Sequence, residues 1–167
     1  DTGAKKQVWA RVEVSDSADF ATLLYDTGEC RTASSLGVPV EMELKPRTRY
    51  FWRVTVMGDN GETATSEAAW FETAKLGEPF QGERISPCLP ADTAPYMRRA
   101  FEIDGEVLSA RAYFTGLGIY ELYVNGEKAG DEYLAPGCTA YDRWIQYQTY
   151  DVTALVRSGA NVIGARS

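Results

Sequence analysis

Gly118-Ile119-Tyr120-Glu121-Leu122-Tyr123-Val124-Asn125-Gly126 decides how this chain is read. Tyr120, Leu122 and Val124 alternate with Ile119, Glu121 and Tyr123, so bulky side chains stand on both faces of an extended run. A side-chain period of two belongs to a β-strand. Asn125-Gly126 closes the run, and this dipeptide suits a type I′ turn because both central residues need positive φ. The stretch predicts a strand entering a hairpin. Downstream, Trp144-Ile145-Gln146-Tyr147-Gln148-Thr149-Tyr150 has the same period and is rich in aromatic and β-branched residues, which predicts another strand.

Upstream the same alternation recurs. Val8, Ala10, Val12 and Val14 share one face of a half-buried strand, and Leu23-Leu24-Tyr25-Asp26-Thr27-Gly28 reads as a short strand ending at glycine. Val38, Val40, Met42 and Leu44 predict a strand over 38–44, and Tyr50, Trp52, Val54 and Val56 predict an inward face over 50–56. Asp59-Asn60-Gly61 is a hairpin turn, and Trp70-Phe71-Glu72-Thr73 is the last strand before a connector rich in glycine and proline. After the connector, Met97, Phe101 and Ile103 form a core face that also carries Arg99. Residues 110–115 make the strand before the hairpin. Residues 151–159 predict a helix of one or two turns, with Asp151 or Thr153 as cap and Gly159 as terminator. A new strand starts at Asn161. The fold class is all-β: two small antiparallel β-sandwiches in tandem, residues 1–74 and 95–167, joined by a connector over 75–94.

Composition narrows the function. The 167 residues carry 24 acidic and 17 basic side chains, a net charge of −7, which disfavours a nucleic-acid partner. No apolar run approaches the roughly 18 residues of a membrane span. Asp1-Thr2-Gly3-Ala4-Lys5-Lys6 has no apolar core after it and does not read as a signal peptide. Cys30, Cys88 and Cys138 are widely spaced and contain no Cys-x-x-Cys, so a zinc ribbon or redox pair is unsupported; they read as three buried or half-buried thiols, with a single disulfide as the alternative. Histidine is absent, which removes Ser-His-Asp and Cys-His machinery and His-ligated metals.

Two resemblances add to this reading. The order Leu44, Pro46, Thr48, Tyr50 before an alternating strand resembles the fibronectin type III pattern, with Tyr50 as the tyrosine whose hydroxyl bonds to upstream backbone. The run from Thr115-Gly116-Leu117-Gly118 through Asn125-Gly126 forms the start of the second. It continues through Ala129-Gly130-Asp131, Leu134-Ala135-Pro136-Gly137-Cys138-Thr139-Ala140-Tyr141 and residues 146–153. It resembles the N-terminal β-sandwich that precedes the catalytic barrel of bacterial α-L-rhamnosidases. That resemblance covers Pro95 to about Gly164. It implies that the first two strands of the first sandwich and the later strands of the second are missing. Open edges of that kind would be covered by a partner chain, for instance in a homodimer, or avoided by a compact variant of the fold.

The resemblance implies a glycosidase parent, and an inverting glycosidase needs two carboxylates roughly 6.5–9.5 Å apart. Asp131, Glu132, Asp142 and Asp151 are available, but each has a simpler use: Asp151 as a cap, the others as solvated loop charges. In the family the acid and base belong to the downstream helical barrel, so no catalytic residue is assigned here. The expected role is a non-catalytic scaffold that braces this barrel, with Arg98-Arg99 and the 77–90 connector as contact surface. The alternative is a carbohydrate-binding module for rhamnose or a rhamnose-containing glycan. Its candidate rings are Tyr133, Tyr141 and Trp144, and its candidate polar groups are Asn125, Asp131, Asp142 and Arg143. Relatives of this sandwich imply a calcium ion, but no ligand set can be mapped on the sequence, so no metal ligand and no cofactor is assigned.

Overall fold

A computed structural model describes residues 3–87, 89–90 and 93–167. Cys88 lies outside the described residues. The chain divides into two compact units, Asp1–Gln81 and Gly82–Ser167. All regular structure among the described residues is β, and all strand pairs are antiparallel.

The first unit is built on one five-stranded sheet. Its strands are β1 (Gln7–Ser15), β2 (Leu23–Asp26), β3 (Arg49–Gly58), β4 (Thr63–Thr65) and β5 (Ala69–Glu72). The order is β2-β1-β3-β4, with β5 also on β3. Register places Ala10 opposite Val56, Val12 opposite Val54, Val14 opposite Trp52 and Tyr50 opposite Phe71. These residues share one face. Ala10, Val12, Val14 and Tyr50 are buried on it, as the alternation requires. Trp52 departs from expectation: it shares the face but is 37% exposed.

Residues 38–44 do not form the expected strand. Among the described residues no backbone hydrogen bond joins them to a neighbouring strand. A strand needs a ladder as well as a pattern, and this segment has no partner. Side chains anchor its ends instead. The Tyr25 hydroxyl donates to the Pro39 carbonyl at 3.2 Å, and the Lys45 N–H donates to the Tyr50 hydroxyl at 2.8 Å. The expected tyrosine contact with upstream backbone is thus present, five residues back. Thr73 completes the corner, its hydroxyl donating to the Lys45 carbonyl at 2.6 Å and accepting from the Thr48 N–H at 2.9 Å.

The opposite face of the sheet buries a charge. Glu13 is 5% exposed. Arg53 donates to both its oxygens, at 2.8 and 3.2 Å, and Arg11 stands 3.6 Å away. Arg53 also lies 4.3 Å from the centre of the Phe20 ring. A buried carboxylate without such partners would cost several kcal/mol, on the order of 3–5.

The second unit has two sheets. One runs β6-β11-β8-β9 and the other pairs β7 with β10. The strands are β6 (Tyr96–Ile103), β7 (Arg111–Phe114), β8 (Glu121–Val124), β9 (Glu127–Lys128), β10 (Gln148–Asp151) and β11 (Gly159–Arg166). The core holds Tyr120, Leu122, Val124, Ala129, Ala135, Tyr150 and Val152. Asn125 and Gly126 have φ of 51° and 90°, the expected positive pair, and β8 returns as β9. Met97, Phe101 and Ile103 are half-buried, and Arg99 is exposed, on the β6 face expected to point inward.

Two expectations fail locally. Strand structure near Trp144 begins only at Gln148. The Arg143 and Trp144 N–H groups both reach the Ala140 carbonyl, at 2.8 and 3.0 Å, and this turn takes the chain out of register before β10. Residues 151–159 make a single turn rather than a helix. The Leu155 and Val156 N–H groups share the Val152 carbonyl. Asp151 does cap, accepting from the Thr153 N–H at 3.0 Å, and Gly159 is left-handed at φ 85°. Thr153 instead ties the turn to β7, its hydroxyl accepting from the Ala110 N–H at 3.0 Å. So short a segment cannot offset helix nucleation.

Candidate functional site

The site residues expected from sequence cluster on the chain between β9 and β10, except Asn125. Tyr133 is 77% exposed, Trp144 57% and Tyr141 37%. Asp131, Asp142 and Arg143 are exposed too. The loop is pinned at several points. Ala135 bridges to Tyr120, the Thr139 hydroxyl donates to the Trp144 carbonyl at 3.0 Å, and the Thr115 hydroxyl donates to the Gln146 carbonyl at 2.6 Å. Exposed rings on a pinned loop are the kind of surface that stacks on the apolar side of a sugar.

Tyr133 is not a bare ring. The Lys128 ammonium lies 3.6 Å from its centre and donates to the Glu132 carbonyl at 2.6 Å. One face of the phenol is therefore used by a cation. Lys128 was not among the residues singled out in the sequence. Only the turn at Asn125-Gly126, which fixes its register opposite Tyr123, brings it to the loop. Among the described residues no cation lies over the Trp144 ring.

Asn125 is turned into the fold. Its amide donates to the Leu155 carbonyl and to Asn161 Oδ1, both at 2.8 Å, and its Oδ1 accepts from the Val162 N–H at 2.9 Å. Asn161, 1% exposed, in turn donates to the Arg157 and Gly159 carbonyls at 2.7 and 2.8 Å. The two amides lock the hairpin to the start of β11, which leaves Asn125 little capacity for a ligand.

Asp151 is occupied as a cap and lies 2.9 Å from Arg111. Beneath the loop, the Tyr150 hydroxyl donates to that of Tyr120 at 3.2 Å, which donates to the Phe114 carbonyl at 3.0 Å. Burial, then the bond from Tyr150, pushes the Tyr120 phenol well above its ordinary range, and burial also raises Tyr150. Both rings belong to the core. Among the described residues no three Asp, Glu, Cys or His side chains come together to hold a metal ion.

The first unit carries another exposed indole. Trp70 is 56% exposed, but the Arg49 guanidinium stacks 4.1 Å from its centre and is held 3.1 Å from Glu72. A hollow of about 200 Å³ near Lys5, Lys6, Val56 and Met57 contains no carboxylate.

Fold and loop define a tandem of two all-β units, the second of which carries an exposed aromatic loop pinned to its strands. Residues 1–77 match the family described as "Rha78A-like, N-terminal immunoglobulin domain", and residues 105–166 match the "Alpha-L-rhamnosidase N-terminal domain". The chain has the make-up of the N-terminal region of an α-L-rhamnosidase and belongs with those regions. It is 32% identical over 168 residues to an α-L-rhamnosidase of Formosa agariphila, covering 84% of this chain and 18% of that protein. It is 40% identical over 115 residues to one of Streptomyces avermitilis, covering 68% and 10%. The solved α-L-rhamnosidase of Dictyoglumus thermophilum aligns with a TM-score of 0.79 at 31% identity, over 96% of this chain and 21% of that one. That of Aspergillus terreus gives 0.76 at 26%, over 99% and 20%. The chain thus spans less than a fifth of the curated relatives' length. The first domain's family is described as immunoglobulin, so the fibronectin type III likeness rests on the Tyr50 corner alone.

Proposed function

We propose that this chain is a non-catalytic accessory region of an α-L-rhamnosidase, a hydrolase of terminal L-rhamnose, and that it braces the catalytic barrel of its parent. The observation that carries this reading is the pair of N-terminal domain matches, over 1–77 and 105–166, in proteins most of whose length lies elsewhere. The chemistry agrees: Asp151 is used as a cap and Glu13 is paired with Arg53. Co-expression of this chain with the rest of such an enzyme tests the reading. The two should co-purify, and the complex should unfold at a higher temperature than the catalytic portion alone. Independent elution with unchanged unfolding would overturn it.

The exposure of Trp144 and Tyr133 on one pinned loop favours a second reading, a binding site for rhamnose or a related sugar. Tryptophan fluorescence titrated with L-rhamnose, with and without calcium and with glucose as control, tests it. A saturable, rhamnose-specific change that disappears in Trp144→Ala is the expected result. No change in a folded sample would remove the sugar site.

A further inference from the structure

Asn-Gly occurs twice in the chain, at 60–61 and at 125–126. The dipeptide can react with itself: the glycine nitrogen attacks the asparagine side-chain carbonyl, and no Cβ on the glycine obstructs it. The two copies sit in opposite surroundings. Asn60 lies in the turn between β3 and β4, where residues 59–62 are all exposed and the space around Gly61, at φ 82°, is open. Asn125 is half-buried. Its Nδ2 donates to the Leu155 carbonyl and to Asn161 Oδ1, and its Oδ1 accepts from the Val162 N–H. Turning that side chain toward the Gly126 nitrogen breaks these bonds together, which suppresses the reactive conformer by well over about tenfold. Glu62 sets the first copy apart again. Its N–H donates to Asn60 Oδ1 at 3.1 Å, and its Oε2 accepts from Asn60 Nδ2 at 3.0 Å. A donor on Oδ1 stands where negative charge develops as the carbonyl is attacked. A carboxylate on Nδ2 is placed to hand a proton to the leaving nitrogen. The Gly61 N–H donates to the Gly58 carbonyl at 3.0 Å, an exposed turn bond of the kind that opens readily.

We propose that Asn60 is a site of spontaneous covalent modification, deamidating through a succinimide with the assistance of Glu62, and that the fold protects Asn125 from the same reaction. The Gly61 nitrogen forms a bond to Asn60 Cγ and the Cγ–Nδ2 bond breaks. The Gly61 proton passes by way of the Glu62 carboxylate to Nδ2, which leaves as ammonia. Water then adds to either carbonyl of the succinimide and opens it, to aspartate or to isoaspartate. Both products place a new carboxylate beside those of Asp59 and Glu62, where an amide had donated to Glu62, and the like charges repel. Isoaspartate also lengthens the main chain inside the turn that the Gly58 N–H closes on the Glu62 carbonyl at 2.9 Å. The modification therefore loosens the β3–β4 hairpin. The inference is independent of the accessory role and of the sugar reading.

Ageing of the whole folded chain in mildly alkaline buffer, followed by peptide mapping with mass spectrometry, tests it. Asn60 should convert to the acid, with aspartate and isoaspartate as separable products, about tenfold or more faster than Asn125. In concentrated urea, where both side chains are released, the two rates should converge. Glu62→Gln, an exposed and nearly isosteric change, should slow conversion at Asn60 by about tenfold in the folded chain and leave the rate in urea unaltered. An intact Asn60 in the aged, folded chain would overturn the proposal. Equal rates at Asn60 and Asn125 in the folded chain would overturn it too, and so would a folded Glu62→Gln variant that ages as fast as the unaltered chain.

Discussion

Tyr50 shows how much one side chain fixes. It is 2% exposed, its ring stacks on Phe71 at 5.3 Å, and its hydroxyl accepts the Lys45 N–H. Tyr50→Phe keeps the stack and leaves that N–H without its acceptor. It should destabilise the first unit by about 1–3 kcal/mol in urea unfolding; an unchanged midpoint would dismiss the corner. Asp26 gives the pH counterpart. The hydrogen bonds from Arg11 hold its carboxyl at about 2, below the ordinary 3.8. A depressed folded value contributes stability above the ordinary pKa, and that contribution is lost as pH falls from about 4 through 2. The side chain is 32% exposed, so solvent screening keeps the effect near 1 kcal/mol or less. Asp26→Asn should flatten the acid limb of the stability profile by that amount. Tyr50 was legible from its neighbours in sequence. The partners of Asn125 were not, because Asn161 and Leu155 come to it only through folding, and an amide beside a turn looks the same whether it faces a ligand or the core.

At the scale of elements, local chemistry was readable where the turn dictated it. Asn125 and Gly126 both adopt positive φ, as the dipeptide predicts. Gly126→Val should cost about 1–2 kcal/mol, since a β-branched residue is strained at φ 90° even though space around that position is open. Thermal unfolding of the variant checks this, and an unaltered midpoint would contradict the turn assignment. Periodicity misled where pairing, not pattern, decides. Residues 38–44 and 144–147 alternate well but have no ladder: the first lacks a neighbouring strand and the second is preceded by the turn at Ala140. Residues 151–159 carry a helix's cap and terminator but bend once and move on to β11. A pattern states which face a residue would occupy if the element formed; only partners make it form.

For the whole molecule, the sequence indicated two all-β units, and the chain divides into two such units, Asp1–Gln81 and Gly82–Ser167. The likeness to α-L-rhamnosidases was legible because the run around the 118–126 hairpin is long and ungapped, and residues 105–166 match that family's N-terminal domain. The candidate loop was only half legible. Tyr133 and Trp144 are as exposed as a ligand platform requires, while the cation on Tyr133 depends on register that no local motif announces. An accessory role makes one demand above the others, that this chain does no chemistry alone. The direct measurement is release of the chromophore from an aryl α-L-rhamnoside by the purified, folded chain, beside an intact α-L-rhamnosidase. The account predicts release at the buffer rate for this chain at every pH tested; saturable release above buffer, abolished by substituting Asp131 or Asp142, would contradict it.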